Sequence, residues 1–165
     1  MAVLLEELKN RELESQFILD VLDDNKIRSD QADRTKGISQ IKRFTLSSAQ
    51  ILALNSTPVT IIPTFSQSII IVEAITARLN FNTTAYTGSN NLEFRYTDAS
   101  GTKVTADLTS AFLNSGSTAY ASVLGVEAQF TPVINTPIVV RVPTTNPATG
   151  NSTLNLLIKY RLVRF

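Results

Sequence analysis

A chain of 165 residues is long enough for one domain with its own hydrophobic core and an extension, and 43% hydrophobic residues exclude a disordered chain. The formal net charge of +1 gives no electrostatic basis for binding nucleic acid, which requires a basic surface. Cys and His are absent, so disulfides, thiolate or imidazole metal sites and Ser-His-Asp catalysis are excluded. We therefore expect no cofactor, no metal site and no enzymatic activity.

Residues 1–22 predict an amphipathic helix, because Leu, Glu, Lys, Arg and Ala together dominate them and they contain no Gly or Pro. Apolar side chains recur on two sides of this helix, and a helix cannot hide two apolar sides from water without partners. We expect this helix to self-associate, for example as a short trimeric bundle, or to dock on another protein. The alternative is that it packs on its own body. The residues we expect to contact a partner are Leu4, Leu8, Phe17, Ile18 and Leu22.

The start of the chain lacks the features of a secretory or membrane segment. It has no basic region ahead of an apolar run, and acidic residues interrupt its apolar residues after Leu5. The longest strongly apolar run, residues 69–72, is far too short to span a membrane. We expect a protein made in the cytoplasm, with no membrane partner.

Residues 23–40 have the composition of a polar linker. The charge is concentrated before residue 44: residues 1–43 hold 8 of the 15 Lys and Arg and 9 of the 14 Asp and Glu. This shift predicts a boundary near residues 38–44, with a second domain at 41–165.

Residues 41–165 alternate apolar and polar side chains with a period of two, which predicts β-strands. Prolines bracket two of the strands, and a turn signal, "TDASGTK", predicts a hairpin. One short helix is predicted within residues 106–116, and further short strands near 120–124 and 128–131. About seven to nine short strands predict an antiparallel β-sandwich, jelly-roll-like or otherwise. The clearest strand segments are residues 58–63, 68–81, 91–98, 137–143 and 153–165.

The acidic residues of this domain give little support for catalysis. A glycosidase needs two facing carboxylates, and no spacing among the five acids predicts such a pair. Glu73 lies in an apolar strand, where burial would raise its pKa and make it a general acid. The simpler interpretation is an ion pair with Arg78 or Arg141, or a charge at an interface. The five acids are Glu73, Glu93, Asp98, Asp107 and Glu127.

Two kinds of ligand site remain as hypotheses. The turn carrying Asp98, Ser100 and Thr102 has some of the oxygen ligands of a Ca²⁺ loop, but it lacks the number of acids and the final Glu of such loops, so a hairpin turn is favoured. Loops rich in Thr, Ser and Asn, together with Tyr86 or Tyr120, are able to bind sugar hydroxyls. They are equally typical of solvated turns and of the polar loops of large assemblies.

Three stretches of the sequence, residues 44–63, 69–96 and 154–163, resemble a small β-rich protein of tailed-bacteriophage structural gene clusters. The resemblance includes "LNSTPV" at 54–59 and "AYTG" at 85–88. It fails after Pro63, where "TFSQS" replaces the Gly-containing loop expected in that family. The resemblance covers about 120 residues, none of them in residues 1–43.

This resemblance implies a non-enzymatic virion structural protein. We expect it to decorate or cement the capsid or to form part of a head fibre, as a homo-oligomer such as a trimer, in contact with the major capsid protein or other virion proteins. The alternatives are a tail, neck or baseplate component, and a β-sandwich module that binds carbohydrate or a receptor.

Overall fold

The computed structural model describes residues 38–88, 91–98, 100–126 and 133–164. The predicted helix at 1–22 lies outside the described residues, as does the linker up to residue 37. The chain divides into two units, Met1–Lys36 and Gly37–Phe165, and all described residues belong to the second. Its strands are β1 (Ser39–Leu46), β2 (Val59–Ile62), β3 (Ser68–Asn80), β4 (Glu93–Tyr96), β5 (Ala119–Leu124), β6 (Ile138–Arg141) and β7 (Thr153–Arg164). Its helices are α1 (Ser48–Leu52) and α2 (Ser110–Leu113).

The strands form two antiparallel sheets, as the sequence predicts. One sheet has the order β1-β7-β3-β5 and the other β2-β6-β4. Residues 102–108 extend the second sheet beyond β4, because Tyr96 donates its backbone N–H to the Thr102 carbonyl at 3.0 Å and Val104 donates to Phe94 at 2.9 Å. This confirms the predicted hairpin. Most connections cross from one sheet to the other, and the resulting strand order is that of a jelly roll.

A single hydrophobic core lies between the two sheets. Ile75 and Ile158 enter it from the first sheet, and Phe94 and Val140 from the second. Tyr96 is also buried, and its hydroxyl donates a hydrogen bond to the Ile70 carbonyl, which links the two sheets directly. In β7 the buried side chains occur at every second residue, so its alternation reflects burial on one face. In β6, Ile138, Val139 and Val140 are all buried, so this strand is covered on both faces.

The strand predictions are confirmed for β2, β3, β4, β6 and β7. The first half of β3 is apolar on both faces, and β3 lies between two other strands of its sheet, as expected of an interior strand. β1 begins at Ser39, within the predicted boundary region. The short strand predicted near 120–124 is β5, whereas the one predicted at 128–131 lies outside the described residues.

The helix predicted within 106–116 is confirmed as α2, and α1 was not predicted. Ser47 caps α1 by accepting a hydrogen bond from the Gln50 backbone N–H at 3.3 Å, and the Gln50 side chain accepts from the Ser47 N–H at 3.0 Å. This reciprocal capping box is visible in the sequence as Ser-x-x-Gln. None of the helices in the described part of the chain is long and apolar enough to cross a membrane.

The "LNSTPV" motif fastens the start of β2 to the segment that joins β6 to β7. The Asn55 amide donates to the Val142 carbonyl at 2.9 Å. The Asn146 side-chain oxygen accepts from the backbone N–H groups of Asn55 and Ser56 at 2.8 and 3.2 Å. The motif therefore holds the β6–β7 connection in place.

The "AYTG" motif contacts the other end of the same connection. Tyr86 is buried and donates its hydroxyl to the Ser152 carbonyl at 2.6 Å. Thr87 and Ala148 exchange two backbone hydrogen bonds of 2.9 Å. Gly150 has φ +84°, and a Cβ there would lie 2.2 Å from the Tyr86 ring. The two motifs on which the family resemblance depends thus share a structural role, since both anchor residues 142–152.

Candidate docking face

The sheet β1-β7-β3-β5 turns one face toward the core and the other away from it, and we call the second the outer face. Antiparallel register places outward residues of the four strands in rows. One row contains Thr45, Asn155, Arg78 and Tyr120, taken from β1, β7, β3 and β5. The next rows are Arg43, Leu157, Thr76 and Ser122, then Ile41, Lys159, Ala74 and Leu124.

Large apolar side chains are concentrated on the outer face. Of the six exposed large hydrophobic residues among those described, four are on it: Ile41, Tyr120, Leu124 and Leu157. Tyr120 is 69% and Leu124 71% exposed. Each isolated surface apolar residue is unremarkable, but a contiguous set on one sheet face is typical of an interaction surface.

The outer face is also basic. Among the described residues, its charged side chains are Arg43, Arg78, Lys159 and Arg161 against a single acid, Glu73. Four positive charges and one negative leave this face at +3, although the whole chain carries only +1. Paired with its apolar residues, this charge favours a partner that is both acidic and apolar.

Glu73 neutralises one end of the outer face. The register of β3 against β7 shifts between Val72 and Ala74, a β-bulge that places Glu73 beside Lys159 and Arg161. The Glu73 carboxylate accepts from the Ser39 hydroxyl at 2.7 and 2.8 Å and lies 3.1 Å from Lys159 Nζ. Arg161 Nε lies 4.0 Å from it.

These contacts settle the two sequence-based interpretations of Glu73. The Ser39 hydrogen bonds, which outweigh burial, together with Lys159 and Arg161 lower the pKa of Glu73. The general-acid hypothesis, which requires a raised pKa, is therefore wrong. An ion pair is correct, but the predicted partners Arg78 and Arg141 are wrong, because the bulge brings residues of β7 to Glu73 instead.

A shallow groove of about 380 Å³ crosses the outer face at its other end. Its walls include Arg43, Arg78, Tyr120, Asn155 and Leu157. Among the described residues, no carboxylate lies within ion-pair distance of Arg43 or Arg78. The Arg78 guanidinium lies 5.7 Å from the centroid of the Tyr120 ring, a cation–π contact that orients both side chains.

The charged and amide groups that line this groove are hydrogen-bond donors. The two guanidinium groups can only donate. The Asn155 side-chain oxygen already accepts from the Thr45 hydroxyl at 2.8 Å, which leaves its NH₂ group to face other partners. A ligand carrying carboxylates, which can only accept, is the complement of such a set.

A second charged cluster lies on the other sheet. Glu93 is buried, and its carboxylate is 2.8 Å from both Arg95 Nε and Lys103 Nζ, with Arg141 Nε at 4.0 Å. Lys103 also contacts Asp107 at 2.8 Å. The structure thus brings Glu93 and Asp107 together, but the Lys103 ammonium lies between their carboxylates. Burial by itself raises the pKa of Glu93, and the hydrogen bonds from Arg95 and Lys103 overcome it, so the pKa is lowered.

The Asp98 turn is a hairpin turn, as favoured from the sequence. Its carboxylate accepts from the Ser100 backbone N–H at 2.7 Å and from the Ser100 hydroxyl at 2.8 Å, and these bonds lower the pKa of Asp98. Within the described ranges, no three acidic side chains come together as a metal site. Glu127 lies outside those ranges.

The remaining predicted site residues have different outcomes. Leu4, Leu8, Phe17, Ile18 and Leu22 lie outside the described residues. Tyr86 is only 1% exposed and its hydroxyl is bonded, so its suggested part in sugar binding is wrong. Tyr120 is exposed beside the groove. Sequence analysis did not identify Arg43, Arg78 and Asn155, because only the strand order shows that they are neighbours.

Comparison with known proteins finds similar solved structures, among them chains of two phage capsids. One is a chain of the cyanophage Pam1 capsid asymmetric unit, with a TM-score of 0.49 and 14% identity over 76% of this chain and 85% of that chain. The other belongs to the capsid of Ralstonia phage GP4, with a TM-score of 0.44 and 14% identity over 76% of this chain and 84% of that chain. No protein-family model and no curated protein matches the sequence.

Proposed function

We propose that this chain is a non-enzymatic structural protein of a tailed-bacteriophage virion, which decorates or cements the head or forms part of a head fibre, and which assembles as a homotrimer. The observation that carries the proposal is the outer face. It exposes Ile41, Tyr120, Leu124 and Leu157 together on one rigid sheet, which is the surface expected of a protein whose work is to bind other proteins.

The fold and the family resemblance give further support. Jelly rolls are widespread in viral capsid and lectin domains, although a fold alone does not assign a function. The residues that resemble the phage family are structural in this chain: "LNSTPV" and "AYTG" fasten the β6–β7 connection rather than line a reaction site. A resemblance based on such residues fits a conserved scaffold better than an enzyme family.

The N-terminal residues 1–22 have the proposed role of assembly. Their two apolar stripes require partners, and the polar residues 23–38 provide reach between this segment and the body, whose first strand β1 takes up residues 39–40 of the predicted linker 23–40. In this proposal Leu4, Leu8, Phe17, Ile18 and Leu22 contact either neighbouring copies or another virion protein.

Light scattering on the purified full chain tests the assembly role. We expect the mass of a trimer, and a monomer for the variant Leu8→Asp/Leu22→Asp. Lys9→Gln/Gln16→Glu is the matched control, since it makes the same change in charge in the same segment outside both apolar stripes. A wild type that is monomeric, or a Leu8→Asp/Leu22→Asp variant that remains a trimer, contradicts the assembly role.

The place of the protein on the particle requires a separate measurement. Gold-labelled antibodies against the chain, viewed by electron microscopy on purified virions, should label the head. Label confined to the tail or neck would support the alternative location, and unlabelled particles would contradict a virion role altogether.

A carbohydrate- or receptor-binding module is a second candidate function. It is favoured by one observation, the exposed Tyr120 beside a groove with arginine and amide donors. A glycan array probed with the full chain tests it, because selective binding that is lost on Tyr120→Ala would favour this candidate. Binding to no glycan would eliminate its carbohydrate-binding form.

A further inference from the structure

We infer that the groove on the outer face docks an acidic, amphipathic segment of a different virion protein, with its carboxylates on Arg43, Arg78 and Asn155 and its apolar side on Leu157 and Tyr120. This inference rests on the proposed role of the chain in assembly, and it identifies the chemistry of the partner.

The two ends of the outer face differ in how their positive charges are balanced. Lys159 and Arg161 already interact with Glu73, whose carboxylate is also bonded to Ser39. Arg43 and Arg78 have no such acid among the described residues, and both line the groove. An acidic partner therefore gains most at the groove end.

The spacing of these groups suits an extended or helical segment that crosses the strands. Arg43 lies on β1 and Arg78 on β3, with β7 between them, so about 10 Å separates their strands. Tyr120 on β5 continues the surface in the same direction. A small anion would contact one guanidinium, whereas a peptide segment can present carboxylates to both.

The apolar residues of the outer face decide between a protein and a sugar. Ile41 is 66% exposed and Leu124 71% exposed, and both lie close to the groove rows. Aliphatic side chains offer a sugar ring nothing that its hydroxyl groups can bond, but they match the Leu and Phe side of an amphipathic segment. Binding through Arg and Tyr beside aliphatic residues is also the usual composition of protein interfaces.

Charge also favours an acidic partner over the outer face of a second copy of this chain. Two outer faces packed symmetrically would oppose two basic surfaces of the same sign, because a two-fold interface places the same patch on both subunits. Like charges juxtaposed at an interface are costly. A partner of opposite charge removes this repulsion.

Fluorescence anisotropy with the full chain and two labelled synthetic peptides tests the inference. Both peptides are amphipathic three-heptad sequences with the same leucines, but one carries Glu and the other Lys at all charged positions. We expect the Glu peptide to bind, the Lys peptide not to bind, and binding to weaken with added salt. Equal binding of the two peptides, or binding of neither, overturns the inference.

Single charge reversals locate the binding. We expect Arg43→Glu and Arg78→Glu each to weaken binding of the Glu peptide about tenfold, since each replaces an attraction by a repulsion. Arg164→Glu is the matched control, because Arg164 is an exposed cation on β7 that does not line the groove. It should leave the dissociation constant within about twofold. If Arg164→Glu weakens binding as much as the groove variants, the site is not the groove.

Two further outcomes would assign the groove to another occupant and overturn the inference. One is binding of an oligosaccharide of hexuronic acids that depends on Arg43 and Arg78 while the Glu peptide does not bind. The other is a change in the light-scattering mass of the full chain on Arg43→Glu without any peptide, which would indicate a second copy. The peptide assay uses no virions, so absence of peptide binding contradicts only the docking inference. Absence of antibody label on virions contradicts the proposed function instead.

Discussion

Replacing Glu93 by Gln should destabilise the fold far more than replacing Glu73 by Gln. Both residues are strand glutamates in ion-pair clusters, Glu93 with three cations within 4.0 Å and Glu73 with two, and each change removes one negative charge. They differ in burial, since the Glu93 side chain is 6% exposed and the Glu73 side chain 23%. The comparison therefore sets a buried ion-pair cluster against a more exposed one.

The expected loss of stability depends on which cations lose their counter-charge when the glutamate is replaced. Removing one partner of a fully buried pair costs about 3–5 kcal/mol, because the other charge stays buried and unpaired. Lys103 is 39% exposed and also has Asp107, so water and Asp107 compensate part of this loss. We expect about 2 kcal/mol for Glu93→Gln and no more than about 0.5 kcal/mol for Glu73→Gln.

Urea unfolding followed by circular dichroism measures both losses. For a domain of this size, about 2 kcal/mol lowers the midpoint by about 1 M urea, with the slope unchanged. Equal shifts for the two variants, or a larger shift for Glu73→Gln, would refute the argument from burial.

The difference in stability between wild type and Glu93→Gln should also depend on pH, in a direction set by the pKa of Glu93. The pKa of Glu93 in the folded state is below its ordinary value of 4.5, so its charged form stabilises the fold. This contribution is fully present above pH 4.5 and is lost as the pH falls through the folded pKa. The stability difference between wild type and Glu93→Gln should therefore shrink on acidification. A difference that stays constant down to about pH 3 would show that the charge is not its source.

Two other substitutions should reduce the free energy of unfolding, each with a control of the same type. Gly150→Ala should cost about 2–4 kcal/mol, because the positive φ is strained for Ala and the new Cβ meets the Tyr86 ring at 2.2 Å. Gly116→Ala, whose Cβ would meet nothing within 4 Å, is the control and should cost less than about 1 kcal/mol. Equal losses of stability for the two variants in thermal melting would contradict this account. Tyr96→Phe should cost about 1–2 kcal/mol, because it leaves the buried Ile70 carbonyl on the facing sheet without the tyrosine hydroxyl donor. Tyr120→Phe, at an exposed tyrosine, is the control and should be within about 0.5 kcal/mol of wild type. If Tyr96→Phe leaves the free energy of unfolding in denaturant unchanged, the link between the sheets is dispensable.

The strands of the sheets can be predicted from the sequence because burial of a strand face shapes both the sequence pattern and the structure. Each strand of a two-layer fold buries one face, so apolar residues alternate, and that alternation is visible for β4 and β7 without any structure. Prolines at 58 and 63 bound β2 because they cannot donate to a ladder. The capping box of α1, Ser47 with Gln50, is an equally physical signal in the sequence.

The docking face could not be predicted in the same way, because it depends on contacts between distant strands. Periodicity shows that Arg43, Arg78 and Tyr120 face outward, but not that β7 lies between β1 and β3. The bulge in β3 has the same effect on Glu73, whose partners depend on a one-residue shift in register that period two does not encode. The helix at residues 1–22, on which the assembly hypothesis depends, remains a prediction.

The anchoring of residues 142–152 also determines where this protein can be engineered. The segment is a polar connection rich in Thr, Asn and Pro, which is the composition usually chosen for inserting a foreign peptide. Hydrogen bonds from Asn55, Tyr86 and Thr87 fix it along its length, so an insertion there would detach both motifs at once. The turn at Gly116 has open space around it, which makes it the better position for displaying an epitope.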